Sequence, residues 1–413
     1  MKNNNFKKNF IWNIVGTTIN AFNSLFFLIT VTRINGVDYA GIFTFAFSTA
    51  LLFNVIGMYS GRVYQVTDQS RASDTDFIIS KVITCSLMLI VSFVFVAINK
   101  YNIYKVIVIL LLCFLKCLEA FAESIYAIFQ KNEDLYRVGI SLTLKSIIGL
   151  LVFIVVDIVM KEILYSIIGL IMCNITVLIC YDINNLKKGY YEKKTISFKN
   201  VSKILLVGVF PFIVTFLSQY LINASKYAID TLLLNSDQTI YGILIMPATV
   251  ILLFGQFIIH PYITKVSKLY IEKKANQLLK MIIAFIGAII GFGCFTVLAA
   301  YYLGIPVLQI IYGIELGKYR INLIMIMIGG SLFGIVSILS NMLIAMHKNV
   351  AQAGLLAILS TLAYFMSYHL TAKFQLFGAT LSYTVVMCIA GFSFVCLILY
   401  FVLKMKRNKS KDN

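Results

Sequence analysis

KILLVGVFPFIVTFLSQYLINASKYAID, Lys203 to Asp230, reads as two halves. The first, through Tyr220, is almost wholly apolar and close to the roughly 20 residues that a helix needs to cross a bilayer. The second carries polar residues at helical spacing. At 100° per residue, Gln219, Asn223, Lys226 and Asp230 share one face. An ionisable side chain in lipid is costly unless it faces a partner or water. The stretch therefore predicts a transmembrane helix that continues to about Thr231, with a polar stripe in its outer half. The alternative is a helix that ends near residue 224 and leaves Lys226 and Asp230 in an exterior loop.

The rest of the chain is built the same way. Of 413 residues, 60% are apolar, 13% are charged and the mean hydropathy is +0.90. Twelve apolar runs are long enough to span, at about 10–32, 40–61, 77–98, 103–129, 138–158, 163–181, 203–233, 240–260, 279–301, 321–345, 351–371 and 377–402. The expected fold class is an all-α polytopic membrane protein of twelve transmembrane helices. The first run is too long for a cleaved signal peptide, and no small-residue cleavage site follows it.

Basic residues stay on the cytoplasmic side. With the N-terminus inside, the inner segments carry 25 Lys and Arg and the outer ones 8. That bias predicts an N-in/C-in orientation. It also accounts for the net charge of +18 as an orientation signal facing anionic lipid, without nucleic acid as a partner. The eight cysteines lie inside apolar runs, form no CxxC pair, and read as small packing residues.

The longest basic loop, about Asp182 to Lys203, splits the runs six and six. The expected domains are an N-terminal six-helix bundle (1–186), a cytoplasmic basic linker (187–202) and a C-terminal six-helix bundle (203–413). A shift of 201 residues lays GIFTFAFSTALLF (Gly41 to Phe53) over GILIMPATVILLF (Gly242 to Phe254), with five of thirteen positions identical. Two such bundles would enclose a central cavity open to one side at a time, which is transporter architecture.

Two more runs carry polar stripes. In the first, Asn13, Thr17, Asn20 and Ser24 share a face; all are neutral, so helix–helix hydrogen bonding is an equal reading. In the fourth, Lys116, Glu119, Glu123, Tyr126 and Gln130 share a face, with Lys116 three residues before Glu119. One lysine cannot neutralise two glutamates, so a spare carboxylate is expected in a wet cavity or in proton coupling; a buried structural ion pair is the plainer reading. Pro211 and Pro247 predict kinks in the seventh and eighth helices.

At this point the residues resemble a family. NASKYAID (Asn223 to Asp230) is similar to the Asn-x-Pro-Lys-Tyr-x-Ile-Asp signature of bacterial polysaccharide flippases, members of the multidrug/oligosaccharidyl-lipid/polysaccharide exporter superfamily. Ser225 stands where proline is usual. Four further stretches look like the same family: GRVYQVTD (Gly61 to Asp68), KCLEAFAESIYAIFQKNEDLYRVGISLTLK (Lys116 to Lys145), YGILIMPATVI (Tyr241 to Ile251) and GIPVLQIIYG (Gly304 to Gly313), the last read as the loop before the tenth helix.

The resemblance implies a job: moving undecaprenyl-diphosphate-linked oligosaccharide repeat units across the bacterial cytoplasmic membrane by alternating access. Cations would meet the diphosphate, and Lys226, Lys116, Lys145 and Arg62 are the candidates. Amides and hydroxyls would meet the sugars, and Gln219, Asn223, Gln130, Asn20 and Tyr126 are the candidates. Glu119, Glu123 or Asp230 would couple transport to protons or sodium. No bond changes, so no enzyme, cofactor or metal is implied, and no P-loop pattern is present. The rival readings are an ion-coupled multidrug antiporter of the same fold, a flippase for the lipid-linked peptidoglycan precursor, and a membrane polysaccharide polymerase or ligase. The predicted cavity lysines argue against the first. Twelve helices are few for the second, and the short external loops argue against the third.

Overall fold

A computed structural model of the chain describes residues 2–59, 61–67, 72–188, 190–191, 194–259 and 262–412. Asp68, the last residue of the GRVYQVTD stretch, lies outside them. The described residues form helices and connecting turns, without strands.

The chain divides into two compact units, Met1–Phe216 and Leu217–Asn413. The first holds α1 (Lys2–Ile34), α2 (Val37–Met58), the short α3 (Gly61–Thr67), α4 (Asp74–Asn99), α5 (Ile103–Lys131), α6 (Leu135–Met160), α7 (Ile163–Val177) and α8 (Asn184–Lys187). The boundary falls within α9 (Phe198–Leu232). The second unit continues with α10 (Asn235–Ile259), α11 (Ile263–Ile271), α12 (Ala275–Ala299), α13 (Ile305–Tyr312), α14 (Arg320–Ala345) and α15 (Asn349–Asp412).

Among the described residues, ten helical segments are long and apolar enough to cross a membrane. One of them, α15, bends at Gln375, whose φ of 53° breaks the helix, so it serves as two spans. The twelfth span is α5, whose cluster of charges sets it apart from its neighbours. The chain is a multi-pass membrane protein. Its outer faces carry exposed Phe93, Ile98, Phe295 and Phe392, as surfaces wetted by lipid do.

Local rules explain the helix ends. Ser73 and Asp76 form a reciprocal capping box at the start of α4. Asn102 caps α5 by accepting from the Lys105 amide at 2.8 Å. In the first unit α1 packs along α6. A side chain at Gly139 would collide with the Trp12 carbonyl, so these two helices approach backbone to backbone.

Two features depart from the sequence reading. The apolar run read at 163–181 does not stop at residue 181. A π-helical turn (Leu178–Ile183) carries it into α8, so Asp182 is buried inside the bundle. The stretch Gly304–Gly313 is mostly helix rather than loop. A second π turn (Ala300–Gly304) joins α12 to α13, whose Ile305 and Leu308 are buried, and Gly313 closes it at φ 73°. Pro211 and Pro247 sit inside α9 and α10, where the sequence places them.

Candidate functional site

The charged stripe of α5 is the foundation of the site. Its other side is apolar: Ala122, Ile125, Ile128 and Phe129 pack with Val138 of α6, Leu178 and Leu186. That packing fixes the rotation of α5 and turns Lys116, Glu119, Glu123 and Tyr126 toward a cavity of about 410 Å³ within the first unit. Asn20, Asn23 and Ser24 come to it from α1, Phe47, Leu51, Asn54 and Met58 from α2, Lys145 from α6, and Asn174 from α7.

Three ion pairs surround this space. Lys116 Nζ lies 2.7 Å from Glu119 Oε2. Arg62 Nε, on α3, lies 3.4 Å from Glu123 Oε2. Lys145 Nζ lies 2.7 Å from Asp182 Oδ2 and donates to the Tyr126 hydroxyl at 2.8 Å. Tyr126 in turn meets Ser141 Oγ at 2.7 Å. Lys81 of α4 is not part of this set. Its ammonium donates to the carbonyls of Gly57 and Met58, capping the end of α2.

The spare carboxylate expected from the α5 stripe is therefore absent: Arg62 is its cation, supplied by a neighbouring helix. The pairs differ in how completely they are satisfied. Arg62 Nη1 is buried without a hydrogen-bond partner, as are Asp182 Oδ1 and Asn23 Oδ1. A buried donor of this kind is costly to leave unmet, which favours an anion that supplies the acceptor.

Of the sequence-predicted residues, Asn20, Lys116, Glu119, Glu123, Tyr126 and Lys145 line the cavity, and Arg62 reaches its rim through Glu123. Gln130, at the end of α5, is not among the lining residues. Within the stripe of α1, Asn20 Oδ1 accepts from Ser146 Oγ at 3.3 Å while Thr17 bonds back to the Asn13 carbonyl. That stripe thus serves helix packing and the cavity together. Asp182, Asn54 and Asn174 were not singled out from sequence.

The other candidates belong to the second unit. α9 runs through Leu232, so Gln219, Asn223, Lys226 and Asp230 lie on one continuous helical face. The reading that ended the helix near residue 224 fails. Asn223 is buried and donates to the Gln219 carbonyl at 2.9 Å, while Lys226 and Asp230 are half-buried. Ser225, in the usual place of proline, is buried and meets Ser382 Oγ of α15 at 3.1 Å.

Solved structures share this architecture. The chain aligns with an inward-facing multidrug transporter of the MATE family at a TM-score of 0.74, with 12% identity, over 96% of this chain and 99% of that one. It aligns with the lipid II flippase MurJ in an inward closed conformation at a TM-score of 0.72, with 14% identity, over 96% and 90%. The fold is that of the MATE and MurJ transporters. Among curated proteins, the chain is 26% identical over 409 residues to a capsular polysaccharide biosynthesis protein, CapF, of Staphylococcus aureus, covering 95% of this chain and 98% of that one. No protein-family model matches the chain.

Proposed function

We propose that this protein is a flippase for lipid-linked oligosaccharides. It moves undecaprenyl-diphosphate-linked repeat units across the bacterial cytoplasmic membrane by alternating access, for a capsule-type surface polysaccharide. The observation that carries this reading is the first-unit cavity, where Lys116 and Lys145 on the wall and Arg62 behind Glu123, each held by a carboxylate, stand near the amides of Asn20, Asn23, Asn54 and Asn174. The likeness to CapF and to MurJ supports it.

The chemistry follows from the pairs. A cation alone in low dielectric is costly, so each is stored against a carboxylate until cargo arrives. A diphosphate displaces a carboxylate and takes its hydrogen bonds; the amides meet sugar hydroxyls. Release requires that the exchange be nearly balanced, since a carrier that holds its cargo too tightly does not turn over. Lys226 and Asp230, one turn apart on α9, repeat the device in the second unit. A carboxylate freed by cargo, at Glu119, Glu123 or Asp230, is then the place for a coupling proton or sodium ion. The protein makes and breaks no covalent bond.

The test is complementation. In cells that lack their own repeat-unit flippase, the chain restores surface polysaccharide, and Arg62→Gln with Lys145→Gln abolishes the rescue while the protein still inserts. Rescue that persists in the double variant removes this cavity from the cargo path. A multidrug antiporter is the second reading, supported by the likeness of the fold to a MATE-family transporter. Drug efflux without polysaccharide rescue would establish it.

A further inference from the structure

A second pocket, of about 700 Å³, opens within the second unit, away from the stripes discussed above. Tyr270, Ile271, Lys273, Met346, His347, Lys348, Phe401 and Lys404 are among its lining residues. Three are lysines and one is histidine, and among the described residues no carboxylate lines it. The nearest acid in sequence, Glu272, is already held by Lys274 at 2.7 Å and Lys268 at 3.8 Å.

We infer that this pocket binds the phosphate headgroup of an anionic membrane lipid. Two features beyond charge support this. Lys348 Nζ stands over the rings of Tyr270 and Phe401, at 5.5 and 5.2 Å from their centroids, so aromatic faces hold the ammonium at the pocket wall without neutralising it. Lys273 and His347 both occupy left-handed backbone positions, with φ of 54° and 57°, one residue past the caps of α11 and α14. Glycine is the usual occupant of such positions. Here both carry basic side chains into the pocket. Complementing the helix ends would account for those two charges, but not for Lys404, which lies two turns inside α15.

The apolar rim decides between a lipid and a soluble phosphate. Ile271, 72% exposed, lines the pocket together with the partly exposed rings of Tyr270 and Phe401. A free phosphate ion has no use for such a rim; an acyl chain leaving a bound headgroup does. This site is independent of the cargo assigned to the first unit, and basic pockets at the ends of transmembrane helices suit anionic headgroups generally.

The experiment titrates phosphatidylglycerol, phosphatidylcholine or inorganic phosphate into the detergent-purified full-length protein, reading thermal unfolding and retained lipid by native mass spectrometry. Phosphatidylglycerol raises the unfolding temperature and is retained, and phosphatidylcholine is not. The triple variant Lys273→Gln, Lys348→Gln, Lys404→Gln weakens that binding by about tenfold or more. A control that removes three exposed charges from the linker region (Lys187→Gln, Lys188→Gln, Lys199→Gln) binds as the wild type does. The inference is overturned if both triple variants lose the lipid equally, if the pocket variant keeps it, or if inorganic phosphate stabilises the protein and phosphatidylglycerol does not.

Discussion

Lys145 Nζ and Asp182 Oδ2 stand 2.7 Å apart, the lysine in the middle of α6 and the aspartate on a π turn with no exposed surface. Each is the reason the other can be charged there. Removing one partner of a buried pair costs about 3–5 kcal/mol, whereas replacing both with apolar residues of similar size is often nearly neutral. Asp182→Ala should therefore lower the unfolding temperature sharply. The double variant Lys145→Met, Asp182→Leu should recover most of the loss in stability but none in transport. If Asp182→Ala unfolds with the wild type, the pair is not the electrostatic anchor of the cavity floor.

Arg62 and Glu123 meet more loosely, at 3.4 Å, and Arg62 keeps a buried donor in reserve. A hydrogen bond to a charged group contributes about 1.5–3 kcal/mol, so losing a phosphate contact at Arg62 should reduce transport about 10- to 100-fold. Arg62→Lys should keep part of the activity. Glu123→Gln should impair transport with normal insertion, and Leu118→Val on the far side of α5 should be silent. Equal transport by Glu123→Gln at every pH tried would remove that carboxylate from ion coupling.

How far the site was legible depended on where each residue sits in its helix. Lys116, Glu119, Glu123 and Tyr126 announce themselves because polar residues at helical spacing stand out in an apolar run, whereas Lys145 was legible only through the family resemblance. Asp182 does not announce itself. The π turn at 178–183 shifts the phase of the helix and extends it, so a residue that looks like the start of a basic loop is turned inward. The partnership of Arg62 with Glu123 was equally hidden, because it joins a seven-residue helix to a distant one and no periodicity encodes that. The twelve-helix count was readable from hydropathy alone, yet the helical character of Ile305–Tyr312 was not. A short apolar segment beside a glycine and a proline looks the same whether it is loop or helix.

The distribution of Lys and Arg predicts an orientation with both termini in the cytoplasm, which can be measured directly. Leu234, in the turn after α9, is 71% exposed, and Lys188, after α8, is also exposed. In a background without the eight native cysteines, Leu234→Cys should react with an impermeant maleimide in intact cells. Lys188→Cys should react only after lysis. The opposite pattern inverts the topology.

The basic linker is tied down at its end by one carboxylate. Asp76 accepts from the Ser197 amide at 2.8 Å and from Asn200 Nδ2 at 3.1 Å, while also closing its own cap through the Ser73 amide at 3.0 Å. One buried side chain thus fastens the start of α9 to the start of α4. Asp76→Ala should cost about 1–3 kcal/mol through the unmet donors it leaves. It should also speed proteolysis within 187–202. Unchanged cleavage in the variant would mean that the linker is held elsewhere.

The stripe on α9 bears the sharpest expectation. Lys226 and Asp230 lie one turn apart on a helix that continues to Leu232, and at that spacing a lysine and an aspartate share a face. In the proposed cycle the aspartate holds the lysine between cargoes and yields it to a phosphate. The two residues then differ in consequence. Without Lys226 the α9 stripe has no cation to offer the phosphate, so Lys226→Ala should abolish export, while Lys226→Arg, which keeps the charge, should retain some. Without the Asp230 charge, the lysine is held less firmly but can still meet phosphate, so Asp230→Asn should be the milder lesion. Surface polysaccharide in a complemented strain, normalised to inserted protein, ranks the three variants. A ranking in which Asp230→Asn is worse than Lys226→Ala reverses the roles, making the aspartate the primary group and the lysine its support.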